Sequence, residues 1–191
     1  MIHLASEKTR SSLSQFDANQ VQPNAIDLKV DRIFAINDGT FRIDENEKKH
    51  RGSKELKATH GGYWLLKPGT YEILMEGEIT IGPDEAGWVI TRSTLNRNGL
   101  FITSGLYDSG YQGVMAGALH VNVGEALIAK GTRVAQFLLF KSESLSSYDG
   151  DYGTGKADQT MYQTETYLHH QEYKMATSPE EQKIYDARRT D

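Results

Sequence analysis

The stretch Y-W-L-L-K-P-G-T-Y-E-I-L-M-E-G-E-I-T-I-G-P-D, Tyr63 to Asp84, decides the fold class. Tyr63 to Leu66 is a short apolar run that stops at Pro68-Gly69, residues that favour a tight turn. Tyr71 to Met75 is rich in residue types that fit a pleated, half-buried surface, and Glu78 to Ile81 alternates before Gly82-Pro83-Asp84. Further runs of the same kind follow at Trp88 to Thr91, Leu100 to Thr103, Val114 to Val121, Ala126 to Ala129 and Arg133 to Phe140. Upstream, Ile26 and Leu28 share one face of an alternating segment, with Asp27 and Lys29 on the other. Short strands at this spacing, with no long amphipathic helix between them, predict an all-β sandwich or barrel.

The segments around these strands are polar. Met1 to Asn19 suits a short helix or a loose segment. Residues 37–61, with the turn signal Asn37-Asp38-Gly39 and the charged run Asp44 to Arg51, read as a surface insertion. After Phe140 the pattern gives way to S-E-S-L-S-S-Y-D-G-D-Y-G-T-G-K, which is arm or loop sequence. Ser178-Pro179-Glu180-Glu181 predicts a helix start, and a short terminal helix to about Arg189. The expected organisation is a β-barrel domain over residues 1–140 and a flexible C-terminal arm with a short helix over residues 141–191.

Composition narrows the function. A 191-residue chain with 38% hydrophobic residues, 18 glycines and 10 tyrosines fits a turn-rich β domain that gains buried surface by oligomerising. A net charge of -5 disfavours non-specific nucleic-acid binding, which needs basic stripes. Residues 141–191 hold 6 basic and 10 acidic residues, the pattern of a solvated tail. The absence of cysteine excludes disulfides, thiol nucleophiles and thiolate zinc sites, including the zinc type of nucleotide deaminase. The first ten residues lack a signal-peptide apolar region and no run nears 18 apolar residues, so a cytoplasmic protein without membrane contact is expected. His169-His170 are too close for the helical spacing of metal ligands and read as exposed; His120, in an apolar run, reads as a core or interface residue.

Five clusters carry candidate chemistry: A-I-D-L (25–28), R-S-T-L-N-R (92–97), G-L-Y-D-S-G-Y-Q-G (105–113), G-T-R-V-A-Q (131–136) and G-D-Y-G-T-G (150–155). Arg92 and Arg97 offer guanidinium forks that suit phosphate oxygens. Ser93 offers a hydroxyl, Gln136 an amide, and the glycine-rich arm backbone N–H groups beside Tyr152 and Lys156. Asp108 is an acid among glycines, able to activate water, with Tyr111 three residues on to pack against a sugar. The set suits a nucleoside triphosphate and a water nucleophile.

In order and spacing the five clusters resemble those of the trimeric dUTPase and dCTP deaminase superfamily, over about residues 20–140 and the arm at 148–156. G-L-Y-D-S-G-Y-Q-G is similar to the family's Gly-x-x-Asp-x-x-Tyr-x-Gly motif. L-K-P-G-T-Y and S-T-L-N-R look more like the dCTP deaminase branch. The resemblance implies a distorted jelly-roll-like β-barrel, a homotrimer with sites between subunits, and an arm lent by a third chain. It implies hydrolysis of a deoxynucleoside triphosphate, dUTP first, with Asp108 activating water and Tyr111 on the deoxyribose. Backbone around Ser104, Gly105 and Tyr107 would read the base. Arg92, Ser93, Arg97, Gln136 and Lys156 would hold phosphates, Tyr152 would close the site, and Mg²⁺ would bind through phosphates and water rather than protein ligands.

The departures from the family pattern separate the branches. The deaminase branch places a glutamate ten residues after the hairpin aspartate, and this chain has Ala118 there. Gly110 stands where dUTPases often have a second acid, and the arm lacks the arginine before its glycines. A dCTP deaminase with its acid supplied elsewhere, a hydrolase of a modified deoxynucleotide and a non-catalytic nucleotide-binding relative stay open as alternatives.

Overall fold

A computed structural model describes residues 1–156. The expected terminal helix and the His169-His170 pair lie outside the described residues. Within them the strands are β1 (Ser12–Leu13), β2 (Ile26–Ile36), β3 (Arg42–Ile43), β4 (Lys48–Lys49), β5 (Ser53–Leu56), β6 (Tyr63–Leu66) and β7 (Gly69–Thr80). They continue as β8 (Glu85–Thr91), β9 (Leu100–Thr103), β10 (Leu106–Tyr107), β11 (Gln112–Val121), β12 (Ala126–Ala129) and β13 (Arg133–Lys141). Helix is confined there to a 3₁₀ turn at Ala18–Gln20 and one short helix, α1 (Ser93–Arg97).

The main sheet runs β10-β8-β13-β2-β7-β11-β9, with β1 added on β7 and β5 on β2. It curls because β2 serves both halves. Residues 26–29 of β2 pair with β13, residues 30–35 pair with β7, and the register shifts between Val30 and Arg32. β6 and β12 form a separate two-stranded sheet. Ile26, Leu28, Ile33, Ile73, Met115, Leu119 and Phe137, all at most 1% exposed, pack into one core between the halves. The result is an all-β, distorted jelly-roll-like barrel. No helix among the described residues is long and apolar enough to cross a membrane.

Several elements depart from the sequence reading. Tyr71 to Met75 and Glu78 to Ile81 are not separate strands but parts of β7. Residues 75–77 of β7 bulge opposite Met115, and Gly77, at φ 82°, takes the kink. The expected insertion first forms the exposed β3–β4 ribbon and then contributes β5 to the main sheet. The N-terminal segment is stitched on. Ile2 bridges Leu139, and buried Glu85 accepts hydrogen bonds from Thr9 Oγ1, Ser11 Oγ and the Arg10 and Ser11 backbone N–H groups. Burial alone would raise the Glu85 carboxyl above its ordinary value; these donors more than offset it and hold it below.

Candidate active site

Asp108 opens a tight turn. The Tyr111 N–H donates to the Asp108 carbonyl at 3.0 Å, and Gly110 sits at φ 84°, as the third position of a type II turn requires. The turn is tied to the end of β7: Gly110 N–H donates to Ile81 O (3.0 Å), Ile81 N–H to Tyr111 O (2.8 Å) and Ser109 Oγ to Gly82 O (3.1 Å). Asp108 is exposed on a turn fixed at both ends.

On either side of that turn two tyrosines point inward. Tyr107 Oη donates to Ala116 O and accepts from Ala116 N–H, each at 2.9 Å, and Tyr111 Oη donates to Val114 O at 2.8 Å. The hydroxyls thus satisfy β11 backbone opposite the β7 bulge. The rings meet edge to face at 5.2 Å between centroids. Burial drives the Tyr107 phenol well above the usual tyrosine range. The Tyr111 phenol is pushed up to about 12, first by burial and then by Tyr148 and the Glu78 charge.

A cavity of about 550 Å³ opens beside them, lined by Gly105, Leu106, Tyr107 and Tyr111 from the hairpin region. Ala116, Gly117 and Ala118 of β11 and Glu72 and Leu74 of β7 supply the sheet side, and Phe41, His50 and Arg51 the insertion side. The arm closes the remaining side with Tyr148, Tyr152 and Gly153.

The arm lies on the hairpin of its own chain, whereas the family resemblance implies an arm lent to another. Tyr148 N–H donates to Ser109 O (2.7 Å), the Tyr148 ring meets Tyr111 edge to face at 5.3 Å, and Thr154 N–H donates to Gln112 O (2.7 Å). A Cβ added at Gly110 would stand 3.0 Å from Ser147 Cβ, so glycine here permits both the turn and the close passage of the arm. Lys48 of β4 pairs with Asp151 and stands 5.5 Å from the Tyr152 ring centre. Lys156 pairs with Asp149 at 3.4 Å.

A second cluster forms around Asp27 of β2, which alternation had placed on the outer face with Lys29. Asp27 is fully buried, and cations and an amide compensate its charge. Arg92 Nε and Arg133 Nη1 each lie 3.3 Å from Asp27 Oδ2, and Gln136 Nε2 donates to Oδ1 at 3.0 Å. Arg92 Nη1 also donates to Arg133 O at 3.2 Å. Ser93 and Arg97 begin and end α1, both exposed.

Six of the candidate residues fall into two groups; Asp108 adjoins the first without lining the cavity, and Ser93, Arg97 and Lys156 belong to neither. Gly105, Tyr107, Tyr111 and Tyr152 share the cavity, while Arg92 and Gln136 meet on Asp27. Ser104 Oγ donates to Val89 O and is not part of the cavity wall. Tyr107 pairs with Gly87 on β8, so Asp108 lies toward Ala86, whereas Arg92 follows the far end of that strand at Thr91. Six residues of strand put the two groups about 20 Å apart. Sequence reasoning missed Asp27 as an anchor, Tyr148, Glu72 and the insertion residues. Only Asp27 had a usable signal, an acid within a quoted motif.

The sequence model of dCTP deaminase-like proteins matches residues 1–142. A probable deoxyuridine 5'-triphosphate nucleotidohydrolase of Methanopyrus kandleri is 32% identical over 146 residues, 75% of this chain and 94% of that protein. A protein of the same description from Halobacterium salinarum is 33% identical over 145 residues, covering 73% and 87%. The crystal structure of 2'-deoxycytidine 5'-triphosphate deaminase from Agrobacterium tumefaciens superposes with a TM-score of 0.50 at 19% identity, over 68% of this chain and 43% of that one. That last likeness is one of fold.

Proposed function

The chain belongs to the dCTP deaminase-like family, and from that premise we propose that it hydrolyses a deoxynucleoside triphosphate, dUTP first, to the monophosphate and pyrophosphate. The observation that carries this reading is the turn at 108–111: an exposed carboxylate fixed between two tyrosines that wall a cavity of nucleoside dimensions. Relatives described as dUTP nucleotidohydrolases support the substrate. Ala118 lines the cavity with a methyl group where a ring-deaminating enzyme of this family would carry its acid.

In this reading Asp108 orients a water and takes its proton as the oxygen attacks the α-phosphorus. Tyr111 packs on the deoxyribose and leaves no room for a 2'-hydroxyl, and backbone at 104–107 reads the base. The Tyr111 phenol stays protonated at neutral pH and keeps its bond to Val114 O. Arg92, Ser93, Arg97 and Gln136 of a neighbouring subunit hold the phosphates, with Arg92 aimed by Asp27. Tyr152 and Lys156 close over the site and exclude water. Mg²⁺ would be held through phosphate oxygens and its own waters. The ion would neutralise charge on the leaving pyrophosphate.

The assembly in this reading is the homotrimer that the family resemblance implies, and the separation of the two groups of residues supports a site shared between subunits. Trp88 and Leu106, paired across β8 and β10 at the sheet edge, are 47% and 59% exposed and form an apolar surface that a second subunit would cover. The test of the hydrolase reading is Asp108→Asn. It is expected to bind nucleotide normally while pyrophosphate release falls at least about 100-fold. Near-normal turnover by this variant would overturn the role given to Asp108.

A further inference from the structure

Glu72 is the one carboxylate among the described residues that line the cavity, and the hydrolytic step has no use for it. It stands on β7 directly across from Ala118 of β11, and Ala118 in turn faces Thr103 of β9. The row Thr103–Ala118–Glu72 spans two inter-strand spacings, about 10 Å. Alternation puts Glu72 and Leu74 on one face with Ala118 and Ala116, and all four line the cavity. Between the segment that begins at Ser104 and the Glu72 carboxylate the floor is thus made of small residues. The strand spacing along this row is comparable to the length of a pyrimidine ring of about 5 Å with a hydrogen bond of about 2.9 Å on each edge.

Ser53 of β5, itself buried, donates its hydroxyl to Glu72 Oε2 at 2.6 Å and fixes the carboxylate's direction. A carboxylate accepts several hydrogen bonds, so Ser53 and a ligand donor can be held together. An ionised carboxylate only accepts. Facing an N–H or O–H it makes a short charge-assisted bond, and facing a bare carbonyl it pairs two acceptors away from water.

Resting on the hydrolase reading above, we propose that Glu72, aimed by Ser53, is a specificity residue that admits, beside dUTP, bases carrying a hydrogen-bond donor on the edge turned away from the hairpin. An exocyclic amine, as in a cytosine nucleotide, and a hydroxymethyl group, as in a modified pyrimidine, supply that same chemistry.

The experiment measures pyrophosphate release from dUTP, dCTP and 5-hydroxymethyl-dUTP by the full chain, by Glu72→Gln and by Ser53→Ala, with thermal melting as the folding control. The expected result is that kcat/KM for at least one donor-bearing nucleotide, relative to dUTP, falls about 10-fold or more in Glu72→Gln, mainly through KM. Which of the two ratios falls identifies the donor. Ser53→Ala is expected to shift the same ratio less, and it decides the matter if Glu72→Gln does not fold. Hydrolysis with both ratios within about twofold of wild type in the folded variants would overturn the Glu72 assignment and leave the hydrolase reading standing. Absence of pyrophosphate from every nucleotide with the wild-type chain would overturn both.

Discussion

Asp27 illustrates how one side chain connects the fold to the proposed chemistry. A fully buried carboxylate is tolerable only because Arg92, Arg133 and Gln136 converge on it, and the same contacts hold the Arg92 guanidinium in place. Replacing Asp27 by Asn keeps the shape and the acceptor for Gln136 but turns N–H groups toward two cations. The expected cost is about 1–3 kcal/mol, read as a lowered Tm, because both arginines are partly exposed and can rehydrate. In the proposed trimer the same change raises KM for nucleotide, since Arg92 loses its direction. Unchanged KM in a folded Asp27→Asn protein would mean that Arg92 is a structural partner of Asp27 only. Alternation along Ile26-Asp27-Leu28-Lys29 identified the two apolar residues of the core but not the acid. A period-2 pattern distinguishes faces, and it cannot reveal that three distant side chains will cover the polar one.

At the level of elements, the bounds of β6, β9 and β12 agree with the sequence reading because apolar runs there end at turn residues or polar stretches. The continuity of β7, the pairing of β5 and the stitching of the N-terminus were illegible, since each depends on contacts between residues far apart in sequence. Glu85 makes the last of these measurable. Its carboxyl is held below the ordinary value of 4.5 in the folded chain, so its stabilising contribution is present above that value. The contribution is lost as pH falls through the lower folded value. Glu85→Gln is therefore expected to lower Tm at neutral pH and to show a smaller drop than wild type on acidification below 4.5. Parallel Tm–pH curves for the two proteins would rule this out. The arm gives a second test. Gly110→Ala places a methyl in a left-handed turn position and 3.0 Å from Ser147. About 1–2 kcal/mol of strain is expected, with the arm displaced and KM raised. Melting and steady-state kinetics check both, and a KM equal to wild type would mean that the 148–156 arm is not a lid.

For the whole molecule, the turn at Asp108 and the Arg92 cluster of one chain stand about 20 Å apart along β8, and the proposed site needs both. Motif order in the sequence names candidate parts, but nothing in a single sequence distinguishes parts that meet within a chain from parts that meet between chains. In the proposed cyclic trimer, rotation would bring the turn at Asp108 of one subunit against the Arg92 cluster of the next and would cover Trp88 and Leu106. This predicts complementation. Asp108→Asn and Arg92→Ala subunits are each expected to be inactive alone. After equal mixing under denaturing conditions and refolding, random assembly gives about a quarter of the sites an intact Asp108 from one chain and an intact Arg92 from its neighbour. Pyrophosphate release should recover to about that fraction of the wild-type rate, at a sedimentation mass of about three times 21.4 kDa. No recovery from well-folded mixed trimers would place both groups of one working site on the same chain. A mass near 21.4 kDa with full wild-type activity would remove the trimer altogether.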